Sequence, residues 1–127
     1  MALLLDTHVF LWWLDGDRRI SATARRRIAR EADVYVSAAT AWEITTKARL
    51  GKLPGALVVA ADVAAAVHSQ SFLPLDVTMA HAQRAGSLVW EHRDPFDRML
   101  AAQALLEGVE LVSSDEVFDE IAVPRIA

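Results

Sequence analysis

The sequence predicts an α/β sandwich in which a mostly parallel central sheet is flanked by helices. Short apolar segments alternate with longer segments of helical composition, which is the pattern of β–α–β units. The chain has 127 residues, of which 54% are hydrophobic. Because this is enough for one core, residues 1–127 are expected to form a single domain.

The first half of the chain is expected to contain two strands, each followed by helix. Apolar and β-branched residues predict strands at Leu3–Leu5 and Val34–Val36. The predicted helices run from Val9 to Leu14, closed by Gly16, from the N-cap Ser21 to Arg30, and from Ser37 to about Leu50, where Gly51 and Pro54 follow.

The second half contains the best-defined helix, which begins at the N-cap Asp94 with Pro95 in its first turn and ends before Gly108. Residues 56–69 and 78–91 also have helical composition. Phe72–Leu75 is predicted to be extended and at an edge of the sheet, because it contains a proline. The remaining predictions are a strand at Val109–Val112, a short helix with a capping box of Ser113 and Glu116, and a marginal strand at Val123.

Composition and charge exclude several classes of protein. The absence of cysteine excludes disulfides and thiolate zinc sites, and predicts a cytoplasmic protein. The chain has no uninterrupted apolar run of about 18 residues, so no membrane span is predicted. The net charge of −4 is not that of a protein that binds nucleic acid over its whole surface. Six arginines lie between residues 18 and 30, and they form either a solvated helix face or a contact for RNA phosphates.

Four carboxylates follow predicted strands or begin a predicted helix: Asp6, Glu43, Asp97 and Asp115. Sites in parallel sheets gather at the carboxyl ends of the strands, so these side chains can converge on one edge. Carboxylates held together repel one another, and a hard divalent cation such as Mg²⁺ removes that repulsion. A bound cation of this kind can promote hydrolysis of a phosphodiester.

Each carboxylate also has a purely structural interpretation, and spacing alone does not decide between the two. Asp6 can cap the first helix, and Glu43 can form a capping box with Thr40. Asp97 and Asp115 can interact with helix dipoles. Asp94 can pair with Arg98, four residues later on the same helix face.

The order of several motifs resembles the PIN-domain family, and more narrowly the toxins of VapBC-type toxin–antitoxin systems. The resemblance covers essentially the whole chain, and its most specific part is the Asp-Pro-Phe-Asp motif. The matching segments are Leu3-Leu4-Leu5-Asp6-Thr7-His8, Ser37 with Trp42-Glu43-Ile44, residues 47–53, residues 92–104, and Leu111-Val112-Ser113-Ser114-Asp115.

The resemblance implies a PIN-like three-layer sandwich and a metal-dependent endoribonuclease that uses Mg²⁺ or Mn²⁺. Asp6, Glu43, Asp97 and Asp115 then form the catalytic site, with Asp6 and Asp97 as the expected direct metal ligands. Thr7 and Ser114 are expected to orient ligands or water, and Asp94 to act as a cap. Serine stands at both positions before Asp115, where a threonine is common in the family, but a hydroxyl is kept.

The resemblance also implies partners, namely a cognate antitoxin, an RNA substrate and a second copy of the chain in a homodimer. An exposed apolar surface for the antitoxin is expected from residues 9–13 or from the helix that carries Trp42. The alternatives are a catalytically silent PIN-type binding module, a nuclease that acts on DNA, and a phosphoacceptor receiver domain. The receiver alternative lacks support because Asp6 stands alone and no lysine occurs after Lys52. The four histidines lack the spacing of a zinc site.

Overall fold

Five parallel strands form the centre of the computed structural model, which describes residues 2–127. The sheet has the order β3-β2-β1-β4-β5, and all four pairings are parallel. Strand β1 is therefore central, between β2 and β4. The strands are β1 (Leu3–Leu5), β2 (Val34–Ser37), β3 (Leu73–Leu75), β4 (Glu110–Val112) and β5 (Arg125–Ile126).

Helices cover both faces of the sheet and connect its strands. They are α1 (Thr7–Asp15), α2 (Ala22–Arg30), α3 (Ala38–Arg49), α4 (Leu57–Ala61), α5 (Val63–Ser69), α6 (Met79–Ser87) and α7 (Pro95–Glu107). Two 3-10 turns lie at Pro54–Ala56 and Glu116–Ile121. No helix in the described part of the chain is long and apolar enough to cross a membrane.

The central strand β1 contributes to two separate cores because its side chains alternate between the two faces of the sheet. Leu3 and Leu5 pack in the core that contains Phe10. Leu4 points to the opposite face and packs with Leu100 and Phe118. The predicted α/β sandwich with a parallel sheet is therefore confirmed.

Most predicted helix ends are confirmed by their local chemistry. The Ser21 side chain accepts a hydrogen bond from the Ala24 N–H at 3.0 Å. Helix α7 begins after Asp94 and ends at Gly108, which has a φ of 65°. Glycine suits that position because its lack of a Cβ removes the penalty of the left-handed conformation.

Some element boundaries differ from the prediction. The helix predicted at 56–69 is divided at Asp62, whose side chain caps α5 through the Ala65 N–H. The helix predicted at 78–91 ends at Ser87, and the last strand is at Arg125–Ile126 instead of Val123. As predicted from its proline, the Phe72–Leu75 segment forms an edge strand, β3.

The predicted capping box of Ser113 and Glu116 is wrong, and the alternative capping box of Thr40 and Glu43 does not form either. Ser37 caps α3 by accepting a hydrogen bond from the Ala39 N–H, so Glu43 is not the partner of a Thr40 cap. The 3-10 turn after β4 is capped by Asp115 and not by Ser113. The side chains of Glu43 and Ser113 are therefore available for contacts in the site.

Candidate active site

A cleft of about 580 Å³ lies at the carboxyl ends of the strands. All four predicted carboxylates line it, although they come from different elements of the chain. The lining residues are Asp6, His8, Trp12, Arg19, Glu43, Lys47, His92, Asp94, Asp97, Ser114 and Asp115.

Asp6 lies directly after β1, and its backbone N–H extends the pairing with β4 by bonding the Val112 carbonyl at 3.0 Å. Although Asp6 stands at the N-cap of α1, its side chain does not cap the helix. Its Oδ2 instead accepts a hydrogen bond of 2.6 Å from the Ser113 hydroxyl. Burial raises the pKa of the Asp6 carboxyl, and the charge of Glu43 adds to this against the Ser113 hydrogen bond.

The serine that contacts this carboxylate is Ser113, and not Ser114 as predicted. Ser113 is fully buried, and its oxygen also accepts a hydrogen bond of 3.1 Å from the Asp115 N–H. Ser114 is exposed and lines the cleft. The register between β1 and β4 pairs Leu5 with Val112, so the next residues along both strands, Asp6 and Ser113, lie opposite each other, and Ser113 is the serine that reaches this carboxylate.

Glu43 is 4% exposed, and both of its carboxylate oxygens are hydrogen-bonded. Oε1 accepts a bond of 2.6 Å from the Thr7 hydroxyl, and Oε2 forms an ion pair with the Lys47 ammonium. The structure thus places Thr7, a predicted supporting residue, next to a predicted catalytic one. Lys47 was not predicted as a site residue, although its separation from Glu43 by four residues on one helix is a signal for such a pair.

Asp97 lies in the first turn of α7 and faces the cleft beside Asp94. Its Oδ2 lies 2.7 Å from His92 Nε2, a contact that the sequence analysis did not predict. Burial, with smaller contributions from the charges of Asp94 and Asp6, raises the pKa of Asp97 to about 6, although the His92 hydrogen bond lowers it. Asp94 is the predicted cap, since its Oδ1 accepts hydrogen bonds from the Phe96 and Asp97 N–H groups.

Arg98 does not pair with Asp94, so that prediction is wrong. Its guanidinium donates hydrogen bonds to the backbone carbonyls of Ala85, Gly86, Leu88, Trp90 and His92. The five donors of a guanidinium suit such a set of acceptors. Arg98 therefore fixes the loop before α7, and this loop holds His92 next to Asp97.

Asp115 and the arginine segment lie at the rim of the cleft. Asp115 is exposed, and its Oδ1 caps the 3-10 turn through the Val117 N–H at 3.0 Å. Of the six arginines between residues 18 and 30, Arg19 lines the cleft. It binds Asp17 with its guanidinium and lies 4.8 Å from the centre of the Trp12 ring.

The predicted apolar surface of residues 9–13 is partly wrong. Val9 and Phe10 are buried in the core, so they are not available to a partner. Trp42 on α3 is 59% exposed, and its ring packs edge-on against Phe96 with centroids 4.7 Å apart.

The donor set of the cleft fits a hard divalent cation. Within residues 2–127, no three acidic or histidine side chains are already gathered as a metal-binding group. Asp6 and Asp97 each have one oxygen bound by a side chain and a second oxygen that no described side chain binds. Mg²⁺ keeps several waters and takes one or two protein carboxylates, so an arrangement of this kind suits it.

One family profile matches nearly the whole chain. The family profile described as the PIN domain matches residues 3–124. The chain belongs to the PIN-domain family. The family predicted from the sequence motifs is therefore confirmed. The observed strand order also differs from the 2-1-3-4-5 order of receiver domains, which excludes that alternative.

Solved structures share the fold of this PIN domain over nearly its whole length. VapBC2 from Rickettsia felis, bound to a DNA fragment from its promoter, is 15% identical with a TM-score of 0.70, covering 100% of this chain and 98% of that one. DNA-bound VapBC from Salmonella typhimurium is 20% identical with a TM-score of 0.68, covering 100% and 97%. VapC20 from Mycobacterium tuberculosis, a toxin that cleaves the sarcin–ricin loop, is 21% identical with a TM-score of 0.67, covering 95% of each. No curated protein sequence matches the chain significantly.

Proposed function

We propose that this PIN domain is a metal-dependent endoribonuclease that hydrolyses RNA phosphodiester bonds. The observation that carries the proposal is the convergence of Asp6, Glu43, Asp97 and Asp115 on one cleft. Burial and neighbouring charges raise the pKa values of Asp6 and Asp97. A divalent cation would remove the repulsion that this arrangement creates.

The cation would be Mg²⁺, with Mn²⁺ as a substitute, held by Asp6 and Asp97. When bound, it would polarise a phosphodiester and supply hydroxide at neutral pH. Ser113 orients Asp6, and His92 orients Asp97, so each carboxylate keeps one oxygen directed away from its partner. Glu43 and Asp115 would complete the acidic site directly or through water.

The choice of RNA as substrate is supported by one similar structure, which is a toxin that cleaves the sarcin–ricin loop. Arg19 and Lys47 place positive charge in the acidic cleft, where it can offset the repulsion between carboxylates and substrate phosphates. The exposed arginines of α2 are a further candidate contact for the RNA backbone.

Cleavage of a mixed RNA pool tests the nuclease proposal. The purified chain is incubated with Mg²⁺ or Mn²⁺, and with a chelator, alongside Asp97→Asn and the matched control Asp119→Asn. Asp119 is an exposed carboxylate that pairs with Arg125 and does not line the cleft. We expect metal-dependent cleavage by the wild type and Asp119→Asn, and none by Asp97→Asn.

Two other results would contradict the assignment. Equal cleavage by the wild type and folded Asp97→Asn would mean that the site is wrong or that the activity is a contaminant. No cleavage of RNA or DNA by the folded, metal-bound wild type would favour the catalytically silent binding module.

We further propose that the protein is the toxin of a toxin–antitoxin pair, acting in the cytoplasm as a homodimer. The similar structures from Rickettsia felis and Salmonella typhimurium are of VapBC, the type of toxin–antitoxin system that this chain resembles, and exposed Trp42 offers apolar surface to a partner. We expect expression of the wild type to arrest growth, and co-expression of the cognate antitoxin to restore it. Growth arrest by Asp97→Asn as strong as that by the wild type would contradict a toxic nuclease. Light scattering of the purified chain will test the proposed homodimer.

A further inference from the structure

The acidic cleft contains one lysine, Lys47, which extends from α3 into the group of carboxylates. Its side chain is 28% exposed and forms an ion pair with Glu43, which lies one helical turn earlier. The other cation of the cleft, Arg19, is already paired with Asp17, which does not line the cleft. Lys47 is therefore the cation whose charge is directed at the site.

The environment of the Lys47 ammonium is that of a cation held by several carboxylates. Burial lowers its pKa, but the hydrogen bond and charge of Glu43, together with the charges of Asp94 and Asp97, raise it by more than burial lowers it. The ammonium also lies 6.0 Å from the centre of the Phe96 ring. It remains charged at neutral pH in a position that three carboxylates favour.

Glu43 differs from Asp6 and Asp97 because both of its carboxylate oxygens already have a side-chain partner. The Thr7 hydroxyl and the Lys47 ammonium each hold one of its oxygens. Asp6 and Asp97 each retain an oxygen that no described side chain binds. Asp6 and Asp97 are therefore better able than Glu43 to bind a divalent cation.

We propose that the Lys47 ammonium takes the place of a second metal ion, so that the cleft binds a single divalent cation between Asp6 and Asp97. Two-metal sites hold their ions about 3.5–4 Å apart and need carboxylates free to bind both. Here the ammonium occupies Glu43 and repels a second cation. This inference rests on the cation site of the proposed function but not on RNA as its substrate.

The stoichiometry of Mn²⁺ binding to the metal-free chain tests this inference. Electron paramagnetic resonance measures free Mn²⁺ during titration of the wild type, Lys47→Met, Lys47→Arg and the control Lys52→Met. Lys52 is exposed on the loop after α3 and does not line the acidic cleft. We expect about one bound ion per chain in the wild type, Lys47→Arg and Lys52→Met, and about two in Lys47→Met.

Circular dichroism will establish that each variant is folded, and Lys47→Gln replaces Lys47→Met if the latter does not fold. Two ions in the wild type, or one ion in the folded neutral variants, would overturn the inference while leaving the proposed nuclease intact. If the wild type binds no Mn²⁺, the cation site of the proposed function fails, and the inference fails with it.

Discussion

Asp97→Asn is expected to stabilise the metal-free protein at neutral pH, although it removes a residue of the proposed active site. Burial and the charges of Asp94 and Asp6 raise the pKa of Asp97 from 3.8 to about 6. That difference corresponds to about 3 kcal/mol at about 1.36 kcal/mol per pKa unit. Since the side chain keeps 16% exposure, solvent screening reduces the expected gain to about 1–2 kcal/mol. Asparagine can still accept the His92 hydrogen bond.

The pH dependence of this gain has a definite sign. A carboxyl whose pKa is raised in the fold favours the folded state when it is protonated. The stability that Asp97 contributes is therefore complete below 3.8 and is lost as the pH rises through about 6. The free energy of unfolding of the wild type should fall over this interval more steeply than that of Asp97→Asn.

Urea unfolding with a chelator, at about pH 4.5 and about pH 7.5, measures the difference between the two proteins. The control Asp119→Asn should bring no gain at neutral pH, because Arg125 lowers the pKa of Asp119. Saturating Mn²⁺ should reverse the order, since ligand at 100 times its Kd stabilises the wild type by about 2.7 kcal/mol. Equal or lower stability of metal-free Asp97→Asn at pH about 7.5 would refute the reasoning.

Three further predictions concern the residues that hold the site. Ser113→Ala should lower the free energy of unfolding by about 1–3 kcal/mol and reduce RNA cleavage, because it removes the hydrogen bond to Asp6. The control Ser114→Ala, at an exposed position, should change stability little, and urea unfolding will measure both variants. Arg98→Lys should lower thermal stability by about 2–4 kcal/mol because an ammonium cannot bind five carbonyls, and an unchanged melting curve would contradict this. His92→Ala should raise the pKa of Asp97 above about 6, because its hydrogen bond lowers that pKa, and carboxyl NMR titration will measure the shift.

The parts of the fold that sequence could predict are those determined by local chemistry. Helix α7 begins and ends where Asp94, Pro95 and Gly108 require, because capping involves residues within a few positions of one another. The four carboxylates could be assigned to one edge because parallel strands place their carboxyl ends together. Neither inference needs the packing of distant side chains.

The residues that orient the carboxylates could not be selected by local rules alone. The same four-residue spacing relates Asp94 to Arg98 and Glu43 to Lys47, yet the structure forms the second pair and not the first. Asp94 uses an oxygen as a helix cap, and Arg98 finds a better set of acceptors in the preceding loop. Competition between a local pair and a tertiary alternative decides the outcome, and the sequence does not display it.

Three carboxylates of the site are each held in place by a hydrogen bond from another part of the chain. Asp6, Glu43 and Asp97 each receive one short hydrogen bond from a neighbouring element, from Ser113, Thr7 and His92 respectively. Each contact fixes the direction of a carboxylate before any ligand binds, which is the preorganisation that electrostatic catalysis requires. Buried carboxylates held in this way keep their mutual repulsion when no cation is present. The arrangement that would prepare the site for the proposed cation is therefore the one expected to make the metal-free protein less stable at neutral pH.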